Sequence, residues 1–257
     1  MPHLSFTDVS LSYPSPQRGS EALLALSGLS FSVEAGQPVA VIGPSGCGKS
    51  STLQLAAGLV FASSGRVEVD GQALAGPREK TALILQDFGL LPWKTARANV
   101  ELGLKLRGVA RGERRERAAA ALADVGLSDF ADSYPDALSG GMRQRLALAR
   151  SLVLDVDLLL MDEPLSALDA LLREQMQELL LGLWRRGSYA QVLVTHSIDE
   201  ALFLGRRVFV MSGRPGRVVA ALDNPEAGED GWRESRAFFE RGCELRALLR
   251  EGGGRDA

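Results

Sequence analysis

Period-two alternation opens the chain. Leu4-Ser5-Phe6-Thr7-Asp8-Val9 and Leu29-Ser30-Phe31-Ser32-Val33 each put apolar side chains on one face, which predicts half-exposed strands. Glu34-Ala35-Gly36 then turns into Pro38-Val39-Ala40-Val41-Ile42, a continuous apolar run of the kind buried on both faces of a sheet. A glycine-rich segment follows, and then a helix through about Leu59. Arg66-Val67-Glu68-Val69-Asp70-Gly71 alternates again, and Ala82-Leu83-Ile84-Leu85-Gln86 reads as a short strand ending at Gln86. From about Asp87 to Arg150 the period shifts: 96–107, 112–125 and 141–154 are helical, with few β-branched residues. Strand character returns at Asp157-Leu158-Leu159-Leu160-Met161 and Gln191-Val192-Leu193-Val194-Thr195, separated by a helix from about Ala170 to Arg186. Arg207–Met211 and Arg217–Ala221 form a pair across Ser212-Gly213-Arg214-Pro215-Gly216. Asp223–Gly231 reads as a polar linker, Trp232–Arg250 as one amphipathic helix with Phe238, Leu245 and Leu249 on a face, and the final glycine-rich residues as a flexible tail.

Composition narrows the function classes. The 257 residues suffice for one α/β domain with a real core or for two small lobes. Lys+Arg number 29 against 32 Asp+Glu, a net charge of −3, which argues against a basic surface built for nucleic acid. No run approaches ~18 apolar residues, so no segment is expected to span a membrane. The first residues lack the pattern of a secretory signal, and Cys47 and Cys243 make no disulfide framework, so a reducing cytosolic compartment is expected.

Three segments carry chemistry. Gly43-Pro44-Ser45-Gly46-Cys47-Gly48-Lys49-Ser50 fits G-x-x-x-x-G-K-[ST] between a buried strand and a helix. The glycines let successive amides point into one concavity that binds phosphate oxygens, and the helix dipole adds to it. Ser51 closes the same loop. Lys49 reaches the β/γ-phosphates and the Ser50 hydroxyl is a Mg²⁺ ligand. A thiol reagent that reached Cys47 would therefore block nucleotide binding. The second segment, Leu158-Leu159-Leu160-Met161-Asp162-Glu163, is an apolar strand delivering two carboxylates to the carboxyl edge of a sheet, Asp162 for Mg²⁺ and Glu163 to orient or deprotonate an attacking water. In the third, Ser139-Gly140-Gly141 opens an Arg/Leu/Ala-rich helix with a good N-cap and exposed amides. It binds either a separate anion or the same nucleotide from another subunit.

In their order these segments resemble the ATP-binding cassette (ABC) family, from about residue 4 to 222. The resemblance identifies 43–50 as Walker A, Leu138–Met142 as the signature, Glu163 as the end of Walker B, Ser166–Asp169 as the D-loop, Gln86 as the Q-loop glutamine and His196 as the switch histidine. It places Tyr13 against adenine. The fold it implies is a P-loop NTPase (RecA-like) α/β core with an antiparallel β subdomain and an inserted α-helical subdomain at approximately 88–154. The cassette itself would occupy 1–222, and 223–257 would form the C-terminal linker, helix and tail.

The resemblance also implies a mechanism. Two copies pair head to tail, so that Ser139, Gly140 and Gly141 contact the γ-phosphate held by the opposite subunit. Glu163 is the base, His196 holds the γ-phosphate, Gln86 senses Mg²⁺ and water, and Asp169 links the sites. Met142 and Ser197 depart from residues common in the family, Gln and Asp respectively. Gln86–Trp93, Asn99-Val100, Leu172–Leu179 and Ser212–Val218 look like cassettes of nitrate, sulfonate and taurine importers. This implies membrane permease partners, indirectly a solute-binding protein, no nucleic acid, and residence at the cytoplasmic face of a bacterial inner membrane. Related cassettes serve a thiamine pyrimidine precursor. A soluble cassette ATPase of DNA repair fits less well, because no sustained heptads lie between Lys49 and Asp162. Nor would a small-molecule kinase account for the signature or the D-loop.

Overall fold

A computed structural model describes residues 3–14 and 22–253. Two sheets organise it. Strands β1 (Leu4–Tyr13), β2 (Leu23–Val33), β4 (Ser64–Val69) and β5 (Gln72–Ala73) form an antiparallel sheet in the order β2-β1-β4-β5. Strands β3 (Pro38–Ile42), β6 (Thr81–Ile84), β7 (Leu158–Asp162), β8 (Ala190–Thr195), β9 (Arg207–Met211) and β10 (Val218–Asp223) form the second, ordered β10-β9-β3-β8-β7-β6. Only β10 runs antiparallel there. Every residue of β3 and β8 is buried, as expected of strands covered on both faces.

One apolar core joins the sheets. Phe6 stacks on Phe31 with ring centroids 4.6 Å apart, and Phe31 meets Phe209 of the parallel sheet at 4.8 Å. Helix α1 (Lys49–Ala56) packs into the same core through Leu53 and Leu55. A second core joins the opposite side of the parallel sheet to the helical lobe, built from α2 (Ala96–Leu106), α3 (Arg111–Asp124) and α4 (Gly140–Leu152), and to α5 (Ala170–Arg186). The lobe, two sheets and P-loop topology match the expected α/β architecture.

Three local expectations need correction. First, β6 ends at Ile84, so Gln86 lies in a turn rather than at a strand end; Asp87 Oδ1 accepts from the Gly89 amide at 3.1 Å and bends the chain there. Second, the stretch after β10 is no loose linker. Asn224 is fully buried, its Nδ2 donating to Leu202 O (2.7 Å) and Gly205 O (2.8 Å), and Trp232 Nε1 donates to Leu202 O (3.0 Å). Third, helix α7 begins at Arg236, not Trp232, and runs to Gly253, so Gly252 and Gly253 of the expected flexible tail 252–257 are helical; the rest of that tail lies outside the described residues. Phe238, Leu245 and Leu249 do share its packed face. A short helix that the pattern missed, α6 (Ile198–Leu204), lies beneath this arm. Among the described residues no helix is long and apolar enough to cross a membrane.

Candidate nucleotide site

The carboxyl ends of β3, β7 and β8 lie side by side, with Ile42 opposite Thr195 and Asp162 opposite Val194. Open α/β sheets bind ligands at this edge. From β3 the chain enters the loop 43–48. Gly48 caps α1 at φ +96°, a conformation only glycine adopts without strain, and Thr52 Oγ1 donates to its carbonyl at 3.0 Å. Lys49 is nearly buried, its Nζ donating to Gly43 O and Pro44 O, both at 3.0 Å, and lying 3.9 Å from Glu163 Oε1. Pro44, Ser45, Gly46 and Ser50 are exposed along this edge. Arg214, which sequence reasoning did not single out, donates from Nε to Gly46 O at 3.2 Å and braces the loop from the β9–β10 connection.

Glu163 sits just past β7 at φ +45°, a left-handed conformation costly for a side-chain-bearing residue and concentrated at functional sites. Its carbonyl accepts from Ser166 Oγ at 2.9 Å, and its Oε2 lies 3.1 Å from His196 Nδ1. That contact is attractive when Nδ1 carries the proton. Burial pushes the Asp162 carboxyl above the ordinary carboxylate range; the Ser50 hydroxyl and Lys49 oppose this, and Glu163 reinforces it. Ser50 and Asp162 together are a hard oxygen pair that suits Mg²⁺. No cluster of three His, Cys, Asp or Glu side chains able to hold a metal exists among the described residues, so nucleotide and water oxygens would complete the shell.

Other expected residues stand further out. Tyr13 ends β1 with its hydroxyl within hydrogen-bond distance of Ser51 Oγ (3.1 Å) and Gln54 Oε1 (3.2 Å), its single proton serving one of them at a time, which places its ring beside α1. Gln86 is exposed and makes no side-chain hydrogen bond among the described residues. Ser139 caps α4, its Oγ accepting from Met142 N at 3.3 Å. Gly141 is buried, and a Cβ there would lie 2.8 Å from Leu172 Cδ2, so a side chain there would have to push Leu172 of α5 aside. No hydrogen bond or ion pair joins Ser139, Gly140 or Gly141 to the loop 43–51 among the described residues. Asp169 caps α5, accepting from Leu172 N at 3.0 Å. Ser197 caps α6, its Oγ accepting from Glu200 N at 3.3 Å, so the serine beside His196 keeps an ordered helix start. The Cys47 sulfur is buried, and burial raises its pKa, so it is neither exposed nor ionised as a reactive thiol would be.

The family model for ABC transporters matches residues 26–166. This chain belongs to the ABC transporter ATPase family. ATP hydrolysis is the activity of that family. The chain is similar to the taurine import ATP-binding protein of Rhizobium johnstonii, 51% identical over 88% of each chain. It is also similar to the nitrate import ATP-binding protein of Synechocystis, 41% identical over 96% of this chain and 95% of that one. Among solved structures it matches the dimeric post-hydrolysis cassette MJ0796 bound to ADP and phosphate (TM-score 0.75, 31% identity, covering 86% of this chain and 98% of that one). Another match is cbiO1 of Clostridium perfringens, part of the cbiONQ transporter complex (TM-score 0.77, 26% identity, covering 97% and 95%).

The sequence missed Arg173, Thr195 and Glu200, which lie directly behind this sheet edge. One signal was present: Ser197-Ile198-Asp199-Glu200 has the S-x-x-E spacing of a helix start.

Proposed function

We propose that the protein is the ATP-hydrolysing subunit of a solute importer, acting as a homodimer on permease subunits at the cytoplasmic membrane face. The observation that carries this is the convergence of Lys49, Asp162, Glu163 and His196 on one sheet edge, while Ser139 opens a helix on a separate lobe. A second copy, turned head to tail, supplies Ser139, Gly140 and Gly141 to the nucleotide; the dimeric relative supports this. Lys49 and the loop amides bind the phosphates. Mg²⁺ held by Ser50, Asp162 and Gln86 would neutralise phosphate charge. Glu163 accepts the proton of the attacking water, and His196 holds Glu163 and the terminal phosphate in register. Tyr13 stacks on the base, and Asp169 meets the partner across the interface.

The relatives that import taurine and nitrate support a small oxyanion as cargo, selected by a separate solute-binding protein. A Glu163→Gln protein should bind ATP and accumulate as a dimer in light scattering while hydrolysing at least ~100-fold more slowly. Normal turnover would remove Glu163 from the role of base. A deletion strain should fail on taurine as sole sulfur source or nitrate as sole nitrogen source, rescued by the wild type but not by Glu163→Gln. Normal growth on both would move the cargo outside this group.

A further inference from the structure

A closed circuit of contacts runs behind the catalytic edge. It begins at His196, whose Nδ1 meets Glu163 Oε2 at 3.1 Å. Its two sequence neighbours are both tied down: Thr195 Oγ1 donates to Glu200 Oε2 at 2.5 Å and accepts from Ser197 N at 3.0 Å, while Ser197 Oγ accepts from Glu200 N. Glu200 is only 3% exposed and faces Arg173, with Nε 3.6 Å from Oε1. The Arg173 guanidinium also reaches the loop after Glu163: the same Nε donates to Leu165 O at 3.4 Å and Nη2 donates to Leu168 O at 2.6 Å. That loop returns to Glu163 through Ser166 Oγ on the Glu163 carbonyl.

A buried carboxylate is costly unless paired, and among the described residues Arg173 is the one cation that forms an ion pair with it. Removing Arg173 therefore leaves Glu200 without its ion-pair partner and frees two loop carbonyls at once. Both ends of the circuit are residues whose placement matters to hydrolysis, whereas among the described residues no hydrogen bond or ion pair joins the phosphate loop to Arg173 or the Glu200 side chain.

We propose that Arg173 and Glu200 are a positioning pair, which sets His196 against Glu163 and ties that alignment to the 165–169 loop. The pair acts through its neighbours and touches no reacting atom. The inference rests on the roles given above to Glu163 and His196. Its consequence is that displacement of the loop, which carries Asp169 towards the partner copy, is felt at the catalytic side chains without passing through the nucleotide.

Steady-state hydrolysis and fluorescent ATP-analogue binding by the full-length chain test this. Misplacing a catalytic group by about 1 Å costs on the order of 100-fold, so Arg173→Met should lose about that much kcat. KM and analogue affinity should stay within about 2-fold, because ground-state binding is untouched. Arg173→Lys, which keeps the charge but not the fork, should recover part of the rate. Glu200→Gln keeps an acceptor for Thr195 and serves as a second, gentler variant; it should lower kcat with the same unchanged KM. A kcat for Arg173→Met within about 3-fold of wild type overturns the proposal, as does a loss of affinity parallel to the loss of rate. Glu163→Gln in the same series separates the two readings: if it turns over normally, the base assignment fails, and if it is inactive while Arg173→Met is not, only the positioning pair fails.

Discussion

Replacing Asn99 by alanine should loosen the segment that carries Gln86 and the exposed Trp93. Asn99 is completely buried on α2, and its side chain is spent on the preceding loop. Oδ1 accepts from Leu91 N at 2.9 Å, and Nδ2 donates to Leu91 O (3.1 Å), Lys94 O (3.0 Å) and Thr95 O (3.1 Å). Two amide protons serve three carbonyls, so the site amounts to three hydrogen bonds. At ~1 kcal/mol each, and with backbone groups of Leu91 left unpaired, Asn99→Ala should cost about 3 kcal/mol. For a chain of this size that corresponds to a melting temperature about 6–12 °C lower. Thermal unfolding followed by circular dichroism measures the loss, and limited proteolysis should show new cleavage between 85 and 95. A melting temperature lowered by less than about 2 °C, with unchanged proteolysis, would refute the reasoning, because the loop would then hold without its anchor.

The nucleotide site yields further tests. Gly216 donates its amide to Ala25 O at 2.9 Å, and a Cβ there would run into the Cys47 backbone carbonyl of the phosphate loop. Gly216→Ala should therefore weaken ATP binding about 10-fold by titration, whereas Gly213→Ala, which meets nothing within 4 Å, should leave it intact. Equal affinities would mean that the loop accommodates the methyl. An aqueous disulfide reagent should label exposed Cys243 and spare buried Cys47 with ATPase activity retained; activity lost in step with Cys47 labelling contradicts this. The Asp162 carboxyl has a folded-state pKa above its unfolded one, so its ionisation costs stability as pH rises from ~4 through the raised value. Asp162→Asn should accordingly unfold at higher urea than wild type at pH 7, and the difference should shrink towards pH 4. A gap that is the same at both pH values would show that Asp162 does not titrate as its burial implies.

The local chemistry was legible because it is local. A glycine that must take φ +96° before a lysine, or an apolar strand ending in Asp162-Glu163, is written in consecutive residues. The end of β6 was misplaced because Leu85 continues the apolar run yet lies 42% exposed; hydropathy cannot distinguish a strand residue from a surface leucine. The linker 223–231 reads as polar because its anchor, Asn224, buries an amide whose carbonyl partners belong to another element. Glu200 looked like a helix-start acid, and its burial against Thr195 and Arg173 depends on where β8, α5 and α6 meet.

By itself the sequence determined the order of the main strands and helices, though not α6, and with it the phosphate loop, the acidic strand end and the capped helix at Ser139, since periodicity, backbone freedom and capping act within a few residues. Only the tertiary structure decided which strand ends became neighbours, that Glu163 meets both Lys49 and His196, that Cys47 is shielded, and that Arg173 closes a circuit to Glu200. Those outcomes depend on residues far apart in the chain sharing one low-dielectric space, where burial and pairing set the energies.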